Sequence, residues 1–236
     1  MNDKVSGYVL NRYDYKENDV IIKVLTQEYG IISLVVRGAK KSRSKNNYAT
    51  LQFSKSEFIF NYRENKNIFN LISASIIKDF NYDDLLAMTL ASLFTEVLTK
   101  VYIEDNYKEY YDLLAFSLEH LKVDEFLIAS LFIATIAKYL GYSAQVDNCS
   151  GCQSLKIVNI SNQLGGFVCS NCNTNDTLVP VDNLKKFRYL NKIDYSKYDN
   201  LKKFNYDNFD FILMMDFFLY QTDLKINSYE LLKSII

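Results

Sequence analysis

Breakers and catalytic side chains are scarce in this chain: one proline, seven glycines and a single histidine among 236 residues. So few breakers argue against long flexible linkers. An apolar share of 49% with a net charge of −1 is not the composition of a disordered chain. The sequence can therefore bury a sizeable core, in one large domain or two to three smaller units. The lone histidine, His120, sits near the end of a predicted helix, where capping suits it better than catalysis.

Long apolar runs are missing too. The longest, Phe126 to Ala137, is interrupted only by Ser130 and Thr135. It is too short to span a bilayer and reads as a buried core helix. The opening Met1-Asn2-Asp3-Lys4 leads into an alternating strand pattern, without the apolar segment of a signal peptide. The expectation is a cytoplasmic protein with no membrane partner, in a compartment where thiols stay reduced.

Catalytic motifs are absent as well. There is no Walker-type loop, no Rossmann glycine fingerprint and no nucleophile elbow. The carboxylate pairs Asp83-Asp84, Glu104-Asp105 and Asp124-Glu125 read as helix starts or solvated faces. The chain is expected to bind rather than to catalyse.

What the chain does have is divided unevenly. Residues 1–78 hold 13 Lys and Arg against 7 Asp and Glu, whereas residues 79–236 hold 14 against 21. A polyanion would bind at the basic front. That front reads as five short strands: Val5–Tyr13, Val20–Thr26, Ile31–Val36, Phe53–Tyr62 and Ile68–Ile77. Five strands in under 80 residues fit a small closed barrel better than a sandwich, and an OB-type barrel is the natural candidate. From Asp83 onwards apolar residues recur every three or four positions, as in Leu86, Leu90, Leu93, Val97 and Val101. Helices follow over Tyr107–Leu121, from Asp124 or Glu125 to Leu140 with Gly141 as cap, over Asp182–Asn191 and Asn208–Tyr220, and from Ser228. The third, apolar on most sides, belongs at the centre of a bundle. The fold class is α+β and multidomain: a barrel over residues 1–80, then a helical domain over 81–236 with a zinc ribbon at 146–176 inserted.

The ribbon rests on Cys149, Cys152, Cys169 and Cys172, spaced C-x2-C-x16-C-x2-C with no cysteine left over. Each pair can set two thiolates on a tight turn, and two such knuckles close a tetrahedron around Zn²⁺. A strand at Lys156–Ile160, a turn at Gln163–Gly166 and a return strand at Phe167-Val168 would bring the second pair back to the first. Gly151 and Asn171 suit the inside of the knuckles. Paired disulfides are disfavoured by compartment, and a thioredoxin-type pair by the lack of a helix after either knuckle. Four thiolates leave no open position on the metal, so the zinc is structural.

The second constellation is Arg37-Gly38-Ala39-Lys40-Lys41-Ser42-Arg43-Ser44-Lys45, with five positive charges in nine residues. Arg37 and Arg43 can fork onto phosphate oxygens, while Lys40, Lys41 and Lys45 supply mobile charges. Tyr8, Tyr13, Tyr48 and Phe53 lie near in sequence and could stack on bases, although most such rings are core or rim residues. The bland alternative is a solvated loop.

Together these residues resemble the RecO family of bacterial recombination mediators. The opening Gly7-Tyr8-Val9-Leu10, Arg12-Tyr13, Glu17-Asn18-Asp19 and Leu25-Thr26 is similar to the family's N-terminus, as is Arg37-Gly38-Ala39-Lys40-Lys41 to its basic stretch. Leu164-Gly165-Gly166-Phe167-Val168-Cys169 resembles the approach to the second knuckle in zinc-bearing members. The resemblance implies binding of single- and double-stranded DNA, strand annealing and, indirectly, recombinase loading. It also implies two protein partners, a RecR-like ring protein and the acidic C-terminal tail of the single-strand-binding protein, and a place on the nucleoid. Two other readings of the residues stay open: an RNA-binding barrel module and a non-catalytic interaction scaffold. A hydrolase with an unrecognised site is a further alternative.

Overall fold

The computed structural model describes residues 2–41, 44–64, 66, 68–103 and 106–236. Five strands, β1 (Asn2–Tyr15), β2 (Asp19–Thr26), β3 (Gly30–Val36), β4 (Lys55–Asn61) and β5 (Ile68–Lys78), close into a barrel in the order β1-β2-β3-β5-β4. Every pairing is antiparallel except β3 with β5. That order is an OB-type barrel, as the strand pattern predicted.

Period-two alternation builds it. Val20, Ile22 and Val24 of β2 are buried, while Ile21 and Lys23 between them face out. Val5, Val9, Leu34, Val36, Phe58 and Phe60 complete the interior with neighbours of the same kind. In β1 the register shifts between Val9 and Asn11, and Val9 and Leu10 are both fully buried there. Such a bulge lets consecutive side chains turn inward.

The fourth strand begins later than the apolar pattern suggests. Phe53 takes a left-handed backbone, φ 69°, and donates its N–H to the Val9 carbonyl at 2.8 Å. Its ring meets Phe80 at 5.1 Å between centroids. The residue is apolar because it is buried in a turn, not because it belongs to the ladder. Short 3-10 stretches at Tyr48–Thr50 and Tyr195–Asn200 also carry no periodic signal.

The helices are α1 (Leu85–Val101), α2 (Tyr107–His120), α3 (Glu125–Tyr139), α4 (Val181–Lys192), α5 (Asn208–Thr222) and α6 (Asn227–Leu232). Asp84 caps α1 by accepting the Ala87 N–H at 3.0 Å, as expected of Asp83-Asp84. The Glu104-Asp105 pair lies outside the described residues. All eleven residues of α3 from Leu127 to Ala137 are buried, the central helix its apolar surface required. It ends with the Gly141 N–H on the Lys138 carbonyl and the Tyr142 N–H on the Ala137 carbonyl, the paired bonds of a Schellman cap.

The chain divides into two compact units, residues 1–118 and 119–236. The first holds the barrel with α1. In the second, α3 packs on α4 and α5. There Asp210, 1% exposed, accepts from Lys186 Nζ and from the Asn183 amide, both at 2.7 Å. Among the described residues no helix is long and apolar enough to cross a membrane.

Candidate metal centre and nucleic-acid interface

The ribbon strands are β6 (Asn159–Ser161) and β7 (Gly166–Val168). They are shorter than the sequence pattern: Lys156–Val158 lies outside the ladder, though the Val158 N–H still reaches the Val168 carbonyl at 3.0 Å. Gly166 joins the return strand rather than the turn. The expected consequence holds nonetheless, since the hairpin returns Cys169 to Cys149.

Each knuckle is a hydrogen-bonded turn. Gln153 N–H donates to the Cys149 carbonyl at 2.9 Å, and Cys149 N–H to the Ser154 carbonyl at 2.8 Å. In the second, Cys172 and Asn173 both donate to the Cys169 carbonyl. The hairpin joins the two, with Ser150 N–H on the Phe167 carbonyl at 2.8 Å.

The four sulfurs all lie within 4.8 Å of one another. A tetrahedron with metal–sulfur bonds of about 2.3 Å sets its sulfurs about 3.8 Å apart. The set is therefore positioned to bind a metal ion. All four cysteines are free thiols, and the 3.5 Å between the Cys152 and Cys169 sulfurs far exceeds the bond of about 2.05 Å in a disulfide.

The thiols are unequal. The Cys169 backbone N–H, 3.3 Å from the Cys149 sulfur, is the main reason that thiol falls to about 6, with the N–H groups of Cys152 and Gly151 assisting. Cys172 rises to about 12, chiefly through its hydrogen bond to Cys152. Sulfurs this close cannot all ionise unaided, and a bound cation is what would let them. The knuckle region has a small core of Cys149, Val168 and Cys169, with Ile157 packed against it. Asn159, 1% exposed, ties the hairpin to the following segment. Its amide donates to the Asn173 side chain and the Thr177 carbonyl, both at 3.0 Å, and its oxygen accepts from the Ile160 and Val179 N–H groups.

The basic segment after β3 is held by its backbone. Gly38 has φ +63° and donates its N–H to Asp19 Oδ1 at 2.8 Å. A side chain would be strained in that left-handed turn. Ala39 is fully buried in the barrel core, and Lys40 N–H reaches the Asn18 carbonyl at 3.1 Å. The far end is tied down by Arg12, whose guanidinium donates to Asn47 Oδ1 at 2.7 Å. The backbone is thus held at Gly38 and Lys40, and Arg37, Lys40, Lys41 and Lys45 are exposed. Arg43 lies outside the described residues. Lys40 pairs with Asp14 at 2.9 Å, an exposed contact worth about 1 kcal/mol or less.

The aromatics near this segment separate into two kinds. Tyr8 and Phe53 are buried at 7% and 5% exposure and cannot meet a base, whereas Tyr13 and Tyr48 are exposed. The Tyr48 hydroxyl bonds Asp79, which raises its pKa. His120 ends α2 with its ring edge-on to Tyr198 at 4.8 Å.

Comparison with known proteins agrees with this architecture. Residues 1–80 match the family described as "Recombination protein O N terminal", and residues 82–211 match "Recombination protein O C terminal". A protein named DNA repair protein RecO from Clostridium acetobutylicum is 31% identical over 207 residues, 82% of this chain and 81% of that protein. Its namesake in Lactobacillus acidophilus is 30% identical over 173 residues, 71% of this chain and 69% of the relative. One in Mesoplasma florum is 28% identical over 202 residues, covering 81% and 74%.

Proposed function

The chain belongs to the RecO family of DNA repair proteins, and from that membership we propose that it is a non-catalytic recombination mediator that binds single- and double-stranded DNA. Residues 1–80 act as the DNA-binding domain, with Arg37, Lys40, Lys41, Arg43 and Lys45 on phosphate oxygens. One observation carries the reading: Ala39 sits in the barrel core with Gly38 tied to Asp19, so the cations beside them are presented from a braced backbone. A backbone already braced has little freedom of its own left to lose when the mobile side chains meet phosphate.

Such binding supports annealing without bond chemistry. Neutralised backbones repel less, and unpaired bases are held ready to pair. Residues 81–236, with the ribbon at 146–176, serve as a platform for a RecR-like ring protein and for the acidic C-terminal tail of the single-strand-binding protein. Recombinase loading follows indirectly, in the cytoplasm at the nucleoid. The metal is Zn²⁺ in a structural role, because an all-thiolate shell leaves no position for water or substrate.

The test is annealing of complementary strands with and without single-strand-binding protein, alongside competition by structured RNA at fixed salt. Faster annealing that survives coating of the strands supports the reading. No annealing, or preference for RNA, overturns it.

A further inference from the structure

Helix α5 carries two carboxylates, and they are treated differently. Asp210 is buried and matched by Lys186 at 2.7 Å. Asp216 reaches the surface and, among the described residues, makes no ion pair. Its hydrogen bond there comes from the hydroxyl of Tyr229, a buried residue, at 3.4 Å. Lys233 is near enough to assist, but it is paired with Glu230 at 2.8 Å. Partial burial outweighs both helpers, and the Asp216 pKa is raised. Its charge is thus held in a setting that has removed water and supplied no cation.

Asp216 opens into a groove of about 350 Å³. One wall is a stripe of α5: Leu213, Asp216 and Tyr220, three and four residues apart, share one helix face. Residues 161–163, the turn after β6, line the second wall, and the segment after the second knuckle, ending at Val179, lines the third. The walls are bonded to one another. Asn159 holds the third to β6 through the Thr177 carbonyl and the Val179 N–H, and the Gln221 amide holds the turn to α5 through the Asn162 carbonyl at 2.6 Å. A cavity braced in this way is largely preformed, and its size lies at the small end of ligand sites.

The lining states what can enter. Asp216 is its one charged residue among those described; the rest are amides, hydroxyls, apolar side chains and the Tyr220 ring. Phosphate and carboxylate groups would meet a like charge, so an acidic tail has to dock elsewhere on this unit. Tyr220 is 58% exposed and stands one helical turn from Asp216. A flat cation seated on that carboxylate can also lie along the ring.

We propose that this groove receives an arginine side chain of a protein partner, its guanidinium forked onto Asp216 and lying against Tyr220, with its stem along Leu213 and Val179. The planar fork matches a carboxylate and stacks on an aromatic face, which a lysine ammonium does not do. Asp216 has already lost part of its hydration in the free protein, so less is lost when the cation arrives. The assignment does not depend on the DNA-binding reading.

The test is an amide NMR titration of the full chain with capped glycine–X–glycine peptides in which X is arginine, lysine or citrulline. Citrulline keeps the shape of arginine without its charge. Peptide is taken to about 10 mM, because one side chain supplies only millimolar affinity. The arginine peptide is expected to shift residues 159–163, 174–179 and 213–220, and to bind about tenfold more tightly than the citrulline peptide, the effect of a charged hydrogen bond. Tyr220→Ala should bring arginine down to the level of lysine. Asp216→Asn should weaken arginine by about tenfold. Its thermal midpoint at neutral pH should not fall, since Asn keeps an acceptor for Tyr229 and removes a charge that burial disfavours. Equal binding of arginine and citrulline, arginine binding unchanged in Asp216→Asn, or no shifts around the groove would overturn the proposal. Spermidine, a free cation, should bind no better than the lysine peptide; tighter binding of spermidine than of arginine would overturn the protein source.

Discussion

A β-carbon added to Gly151 would stand 2.9 Å from the Cys172 sulfur and 3.3 Å from its β-carbon. The two knuckles thus approach until no side chain fits between them, and Gly151→Ala must push Cys172 outward. The substitution is expected to loosen metal binding by about tenfold or more, the scale seen when a residue supporting the ligands is lost. Competition with a chromophoric chelator measures this. Cys169→Ser, which removes a ligand, should lose the bound equivalent altogether.

Salt dependence tests the basic segment. If four or five phosphates are engaged, the log–log slope of affinity against salt for a single strand should be about −3 to −3.5. Replacing Lys40, Lys41 and Arg43 together by Glu should abolish most binding and flatten that slope, with the thermal midpoint unchanged. The two lysines are exposed and outside the core, so folding does not depend on their heads. Unaltered affinity in an anisotropy titration would contradict the assignment.

Local pattern explains how much of this was readable in advance. Runs of β-branched residues disclose β2 and β3 as strands, but not which face is buried, since Ile21, Ile31 and Val35 are apolar and yet lie on the outer side. The cysteine spacing likewise discloses the metal set, because each ligand pair is local in sequence. Phe53 defeats the same logic: its burial arises from a left-handed turn packed on Phe80, and an apolar residue in a turn looks like one in a strand. Lys23 and Tyr29 line one groove with Tyr62 and Lys66, two stretches far apart in sequence that only the closed barrel brings together. Asp19 gave no hint of its role in bracing Gly38, a contact across 19 positions.

The buried pair in the second unit makes a stability prediction. Asp210 is nearly inaccessible and is held by Lys186, Asn183 and, at 3.1 Å, the Asp207 N–H. Lys186→Met leaves that carboxylate without its cation. The cost is expected to be about 3 kcal/mol, as when one partner of a buried pair is removed. For a chain of this size that corresponds to a midpoint lower by about 6–12 °C. A change below about 1 °C by calorimetry would show that the hydrogen bonds alone suffice.

Asn159→Ala probes the join between the hairpin and the segment after it. The Thr177 carbonyl would lose its donor, and the Ile160 and Val179 N–H groups their acceptor. Each unsatisfied buried group costs about 1–3 kcal/mol. A loss of at least about 2 kcal/mol is expected by denaturant titration, with the metal stoichiometry retained because no ligand is touched. Asn159→Asp keeps the acceptor but sets a buried carboxylate oxygen against the Asn173 side-chain oxygen and the Thr177 carbonyl, and is expected to cost at least as much as Asn159→Ala.

Removing the metal should act on one unit only. The knuckle region's own core is three buried residues, of which two are ligands, so little apolar burial remains to hold it once the ion leaves. The barrel draws on a separate set, including Val9, Ile22, Leu34, Phe58 and Phe60, none of them near a cysteine in sequence. Chelation is therefore expected to expose residues 149–175 to a protease and to lower the unfolding transition of residues 119–236, while the barrel's transition and its affinity for single strands stay unchanged. Mass spectrometry of the fragments locates the cuts. First cuts falling within β1 to β5 would mean that the barrel depends on the metal after all.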